Sequence, residues 1–288
     1  MIDQFVIGFK PQRWWGTLAA VDFFLGGTGA GTFILSMYLG LTAGMIIGWI
    51  AVALGALALL IDLGRPDRFL KASSQVARSW ISRGVIFTSI FLLFGILRIA
   101  GAVSSGLPWG GASGLGQVIG VITTLGALGV MFYTGFLLSQ SPSIPFWNTT
   151  MLPLLFALNA FTCGMGVIMV LMPALAGTSI DAKAVGLGGM ALLGASLVFL
   201  WIYMLSMSSS TVAARESVRI LTSGPAAPTF WTGVNAIGLI IPLIIVAIAY
   251  LGNSPAVLSV AGVLMLVGGY LFRQSILNAG VYPPVIDL

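Results

Sequence analysis

The sequence predicts an all-α integral membrane protein with eight transmembrane helices, and three observations carry that expectation. Of 288 residues, 58% are hydrophobic, 7% are charged and 38 are glycine, well outside the range of soluble domains. Eight apolar runs recur, and each is long enough or nearly so to cross a bilayer, which takes about 20 residues for about 30 Å of hydrocarbon. Little sequence is left for loops, so a soluble catalytic domain does not fit.

Residues 1–16 hold Asp3, Lys10, Pro11 and Arg13 ahead of any long apolar run. No small-residue cleavage site follows a short hydrophobic core, so they read as a retained N-terminal segment and the first span as permanent. The runs lie at about 17–41, 45–62, 84–104, 116–139, 150–172, 184–206, 230–251 and 255–276. Eight crossings put both termini on one side, and residues 277–288 form a C-terminal segment. The longest connections, about 63–83 and 207–229, each follow the second helix of a half. This suggests two four-helix bundles, 17–139 and 150–276, in parallel repeat. Glycines at helical spacing, such as Gly27 and Gly31 or Gly116 and Gly120, read as sites of close helix packing.

The terminal face receives ten Lys and Arg: Lys10, Arg13, Arg65, Arg68, Lys71, Arg78, Arg83, Arg215, Arg219 and Arg273. The other face has two, Lys183 and Arg98, a bias that favours cytoplasmic termini. Five of the ten sit in the 63–83 loop, and setting them aside leaves five against two. The sequence has no histidine and one cysteine, Cys163. It therefore lacks the usual axial ligands of a buried haem, the thiolates of an iron–sulfur cluster or zinc site, and any intramolecular disulfide. The net charge of +5 is scattered with no basic run interleaved with aromatics, so nucleic acid is not an expected partner.

Charged groups within a bilayer are costly, which makes the few polar residues at depth informative. Asp22 lies five residues into the first span, roughly 7–8 Å deep, and its stripe continues through Gly26, Gly29 and Phe33. Tyr133 lies six residues before the end of the fourth span, about 9 Å from the same face, on a stripe with Gly126 and Gly129. Asn159, Asn235 and Asp62 fall in the same leaflet from the fifth, seventh and second spans. Such a set suits a pocket for an amphipathic ligand whose polar head needs hydrogen bonds and protons, and a quinone fits. The competing reading pairs Asp22 with a nearby basic residue, places Tyr133 in the interfacial aromatic belt and uses Asn159 and Asn235 as interhelical hydrogen bonds. Arg98, deep in the third span, either snorkels to the far face or joins a proton path. Arg65, Arg68, Arg78 and Arg83 form a rim that suits an electron-delivering partner or anionic lipid.

Several segments resemble one family. They are Asp22-Phe23-Phe24-Leu25-Gly26-Gly27-Thr28-Gly29-Ala30-Gly31, Asp62-Leu63-Gly64-Arg65-Pro66-Asp67-Arg68-Phe69, Tyr133-Thr134-Gly135-Phe136-Leu137-Leu138, Pro145-Phe146-Trp147-Asn148 and Leu152-Pro153-Leu154-Leu155-Phe156. These are similar to the polysulfide reductase membrane-subunit, or NrfD, family. The resemblance implies a haem-free quinone or quinol anchor, using menaquinone or ubiquinone, in a respiratory complex. Its partner would be a ferredoxin-like iron–sulfur subunit, in many cases joined to a molybdopterin catalytic subunit. It implies that Asp22 and Tyr133 belong to the quinone site and that the 63–83 loop meets the partner. A histidine used near the first-helix site in some relatives has no counterpart here, so a protonic role there falls to Asp22. Many members carry that partner on the extracytoplasmic side, so the resemblance and the charge bias point opposite ways on sidedness. Asp22, Asp62 and Arg98 are the proton-transfer candidates, Asn159 and Asn235 support the head group, and no metal site is expected. A secondary transporter or a passive anchor are the rival readings; the gathering of polar residues near one face rather than the midplane argues against transport.

Overall fold

The computed structural model describes residues 8–62, 79–104, 106–110, 113–175, 180–252 and 254–283. Helices α1 (Thr17–Tyr38), α2 (Thr42–Asp62), α3 (Trp80–Val103) and α4 (Gly114–Ser139) come first. Helix α5 (Met151–Leu171) ends in a 3-10 turn, Met172–Leu175, and is followed by α6 (Ala182–Ser208) and a short α7 (Val212–Thr222). Then come α8 (Thr229–Gly252), wound as a π-helix over Thr229–Ile240, and α9 (Pro255–Asn278). All of these except α7 are long and apolar enough to span a membrane, which gives eight candidate spans among the described residues. Two short strands, β1 (Lys10–Pro11) and β2 (Val281–Tyr282), pair antiparallel with Lys10 opposite Tyr282. The polypeptide is thus tied together near both ends on one face.

Several helices begin earlier than their apolar runs because a polar residue caps the first turn. Ser79 accepts from the Ser82 amide, Ser113 from Gly116 and Asp181 from Lys183, satisfying amides that have no partner inside the helix. Helix α7 escapes hydropathy because it is too short and polar to be a span. Its inner face of Ala213, Ala214, Ser217 and Leu221 is buried. On its outside Arg219 donates to both oxygens of Glu216 at 2.8 Å, which lowers the Glu216 pKa.

Helices α1 to α4 pack on one another, and α5, α6, α8 and α9 form a second set. The sets meet where α5 and α9 lie against α1 and where α5 also meets α4. Accordingly α1 is 72% buried and α5 61%, against 17% for the peripheral α3. At the seam the backbones of α1 and α5 touch: a Cβ on Gly31 would strike the Ala160 carbonyl, and one on Gly164 would meet Gly31 and Thr32 at 2.6 Å. In lipid such approach is the main source of helix attraction. The α4–α5 connection folds inward, with Phe146 and Trp147 fully buried. Trp147 Nε1 donates to the Ile276 carbonyl at 2.9 Å, and the Tyr203 hydroxyl donates to the Phe146 carbonyl at 2.6 Å. The second set is thereby closed beneath the paired strands.

Candidate functional site

Asp22 on α1 and Tyr133 on α4 meet inside the first helix set. The phenol O–H donates to Asp22 Oδ2 at 3.3 Å, and the two residues are 3% and 7% exposed. Both line a cleft between α1, α2, α3 and α4 that measures about 730 Å³ with its open mouth included. Val52, Leu59, Ile81, Val85, Leu92 and Val130 make most of its wall apolar, with Thr88 and Ser89 as further hydroxyls. The Tyr133 ring has its seat because α3 places Gly84 against it; a Cβ at that position would collide with the ring.

Only part of the space expected beside Asp22 is open. Gly26 lines the cleft, but Gly29 is covered by α2, where a Cβ would meet the Gly48 carbonyl at 2.5 Å and Val52 at 2.8 Å. Likewise Gly126 and Gly129 face Phe91 and Phe87 of α3 rather than the cleft.

Asn159 lies elsewhere. It lines a second, much tighter crevice between α5, α6, α8 and α9, together with Thr162 and Ser196, whose hydroxyls are 2.8 Å apart. Asn235 turns back on its own helix, its amide donating to the Phe230 carbonyl at 2.9 Å, and among the described residues its Oδ1 has no partner. The depth arithmetic places five residues in one leaflet, and of the four whose side chains are described only Asp22 and Tyr133 come together. Arg98 neighbours Gly120 and lies by the Met37 end of the first set; Met37 is 15 residues from Asp22, about 22 Å along α1. The Asp62 side chain and Arg65, Arg68 and Arg78 lie outside the described residues. Arg83 packs its guanidinium 4.5 Å from the Trp80 ring centre, and Trp80 stacks on Phe136 at 4.5 Å, one turn beyond Tyr133.

The residue that sequence reasoning misplaces is Arg273. The charge count assigns it to the terminal face, yet it is fully buried on α9, so that count falls from ten to nine. The available signal is its position inside the apolar run 255–276, beside Phe272. Among the described residues no group of His, Cys, Asp or Glu could hold a metal. The cleft does fit a quinone head: a hydroxyl and a carboxylate at one end and an apolar wall for the rest.

Eight apolar helices, with a buried acid–phenol pair facing a cleft between four of them, define a multi-pass membrane protein. The protein belongs to the polysulphide reductase, NrfD family, whose match runs over residues 6–284. It is 28% identical over 299 residues to the C subunit of polysulfide reductase from Wolinella succinogenes, covering 92% of this sequence and 94% of that one. It is 29% identical over 258 residues to protein NrfD of Escherichia coli, covering 82% and 81% of the two sequences.

Proposed function

We propose that this protein is the haem-free, quinone- or quinol-binding membrane subunit of a respiratory oxidoreductase. It would pass electrons between the membrane pool and a ferredoxin-like iron–sulfur subunit, through which a molybdopterin subunit connects. The observation that carries this reading is the Tyr133–Asp22 hydrogen bond at the polar end of an otherwise apolar cleft. Similarity to a subunit of polysulfide reductase supports it.

The bound quinone would supply the two-electron, two-proton chemistry. Tyr133 holds the head group through its phenolic oxygen, which accepts from a quinol hydroxyl while its own proton lies on Asp22 and donates to a quinone carbonyl once released from it, and Asp22 anchors the phenol and exchanges a proton at Oδ2. The apolar wall keeps water from the rest of the ring. Arg83, whose neighbour Gly84 lines the cleft, with Arg65, Arg68 and Arg78 of the same basic sequence segment, would meet the iron–sulfur partner, because cations attract an acidic docking face.

The test uses the complex purified with its native partners. Asp22→Asn and Tyr133→Phe should assemble normally and lose quinone-linked turnover by about tenfold or more, while electron transfer from a soluble dye to the catalytic subunit is retained. Full quinone-linked turnover in both variants would refute the assignment.

A further inference from the structure

Ahead of α1 the chain is fixed in place by one glutamine. Gln12 is buried. Its backbone N–H donates to the Gly280 carbonyl at 2.9 Å, and its side-chain Nε2 donates to the carbonyls of Leu277 at 3.1 Å and Trp15 at 3.0 Å, while Oε1 accepts from the Trp15 amide at 2.9 Å. The bonds to Trp15 close a loop over residues 12–15, and those to Leu277 and Gly280 fasten that loop to the end of α9, beside the β1–β2 pair. With Gln12 turned inward, Lys10, Arg13 and Trp14 are left outside. The two adjacent tryptophans part company: Trp15 packs on Phe23 with ring centres 5.7 Å apart, whereas Trp14 is 84% exposed.

Lys10, Arg13 and Trp14, with Pro11 and Tyr282, line an open pocket of about 800 Å³, its mouth included. Neither cation has an acidic partner among the described residues: Asp22 is buried within the spans, Asp181 caps α6 and Glu216 is held by Arg219. The level of the pocket in the membrane is set by α1, which starts at Thr17 and leaves Leu18 exposed. An exposed tryptophan just ahead of an exposed leucine on a span belongs at the headgroup boundary, where indole rings are favoured. A soluble partner resting on the terminal face would meet the two charges but not the hydrocarbon beside Leu18. A phospholipid meets both.

We propose that this pocket is a binding site for an anionic phospholipid, with Arg13 and Lys10 on the headgroup phosphate and Trp14 against the glycerol and the upper acyl chains. The guanidinium of Arg13 offers paired N–H donors that match phosphate oxygens, and Lys10 adds a compact point charge. Trp14 supplies an apolar ring with a polar edge, which suits the step from headgroup to hydrocarbon. Because Gln12 already holds the loop, little chain has to be ordered when the lipid arrives. The pocket shares no lining residue with the Asp22–Tyr133 cleft, so the site stands apart from the quinone reading.

The test uses the full complex, stripped of lipid in a neutral detergent and titrated with phosphatidylglycerol or phosphatidylcholine, with bound lipid counted by native mass spectrometry. The tightest site should prefer phosphatidylglycerol. Lys10→Gln and Arg13→Gln should each weaken it about fivefold, and the double variant about 25-fold. Lys183→Gln, which removes an exposed cation at the start of α6, should bind as the parent does; an equal loss there would overturn the site and leave net charge as the cause. Gln12→Ala keeps both cations and frees the loop, so it should also bind more weakly, and parental affinity in that variant would overturn the built pocket. Inorganic phosphate at the same concentration should not displace the lipid; displacement would make the occupant a free phosphate and overturn the lipid. A double variant that sheds the partner subunits while keeping its phosphatidylglycerol would mark a protein docking face and overturn the proposal equally.

Discussion

Tyr133 holds its position because a glycine on the facing helix gives its ring room, so the smallest change to the site is one methyl group on the cleft wall. In Gly84→Ala the new Cβ must displace the ring. The expected result is about a tenfold weaker affinity for a quinone head-group analogue, measured by titration of the purified complex; Gly194→Ala, with open space around it, should bind as the parent does. Asp22 and Tyr133 are legible in the sequence because each breaks an apolar run at matching depth. Asn159 and Asn235 satisfy the same arithmetic but face other neighbours, since depth fixes position along a helix and leaves rotation about its axis open. Arg273 is misread for a related reason. An arginine five residues from a helix end reaches the interface if it points outward and the protein interior if it points inward, and only the packing of α9 against Gly27 decides which.

At the scale of elements, span existence follows from composition, while the winding of α8 does not. Pro242 has no amide to donate to the carbonyl four residues back, at Gly238, and the helix upstream of it, Thr229–Ile240, runs in wide turns. Wide turns are uncommon and bring α8 against α9 so closely that a Cβ on Gly268 would strike the Gly238 backbone. Gly268→Ala should therefore cost about 3 kcal/mol or more, seen as a loss of assembled complex in detergent. Hydropathy carries no trace of this, because the summed apolar content of a segment is the same whichever way it is wound. The amphipathic α7 is illegible for the opposite reason: it is one of the few elements whose stability comes from a surface rather than from the bilayer, with Ala213, Ala214, Ser217 and Leu221 facing inward.

At the scale of the whole molecule, an even number of crossings and the β1–β2 pair put Lys10 and Tyr282 side by side, whereas Asp181 begins α6 at the far end. Cys163 is buried, which leaves the background silent to thiol reagents. Single cysteines at Lys10 and at Tyr282 should react with a membrane-impermeant maleimide from one face of sealed vesicles, and a cysteine at Asp181 from the other. Labelling of Lys10 and Tyr282 positions from opposite faces would contradict the fold. The same experiment in oriented vesicles fixes the sidedness on which charge bias and family resemblance disagree. The stitched ends also have a mechanical meaning. Force applied between them meets a two-residue ribbon first, so the opening event in a pulling trace would be a small unzipping at the rim, with the ligand notch still intact and the helices leaving the lipid only afterwards.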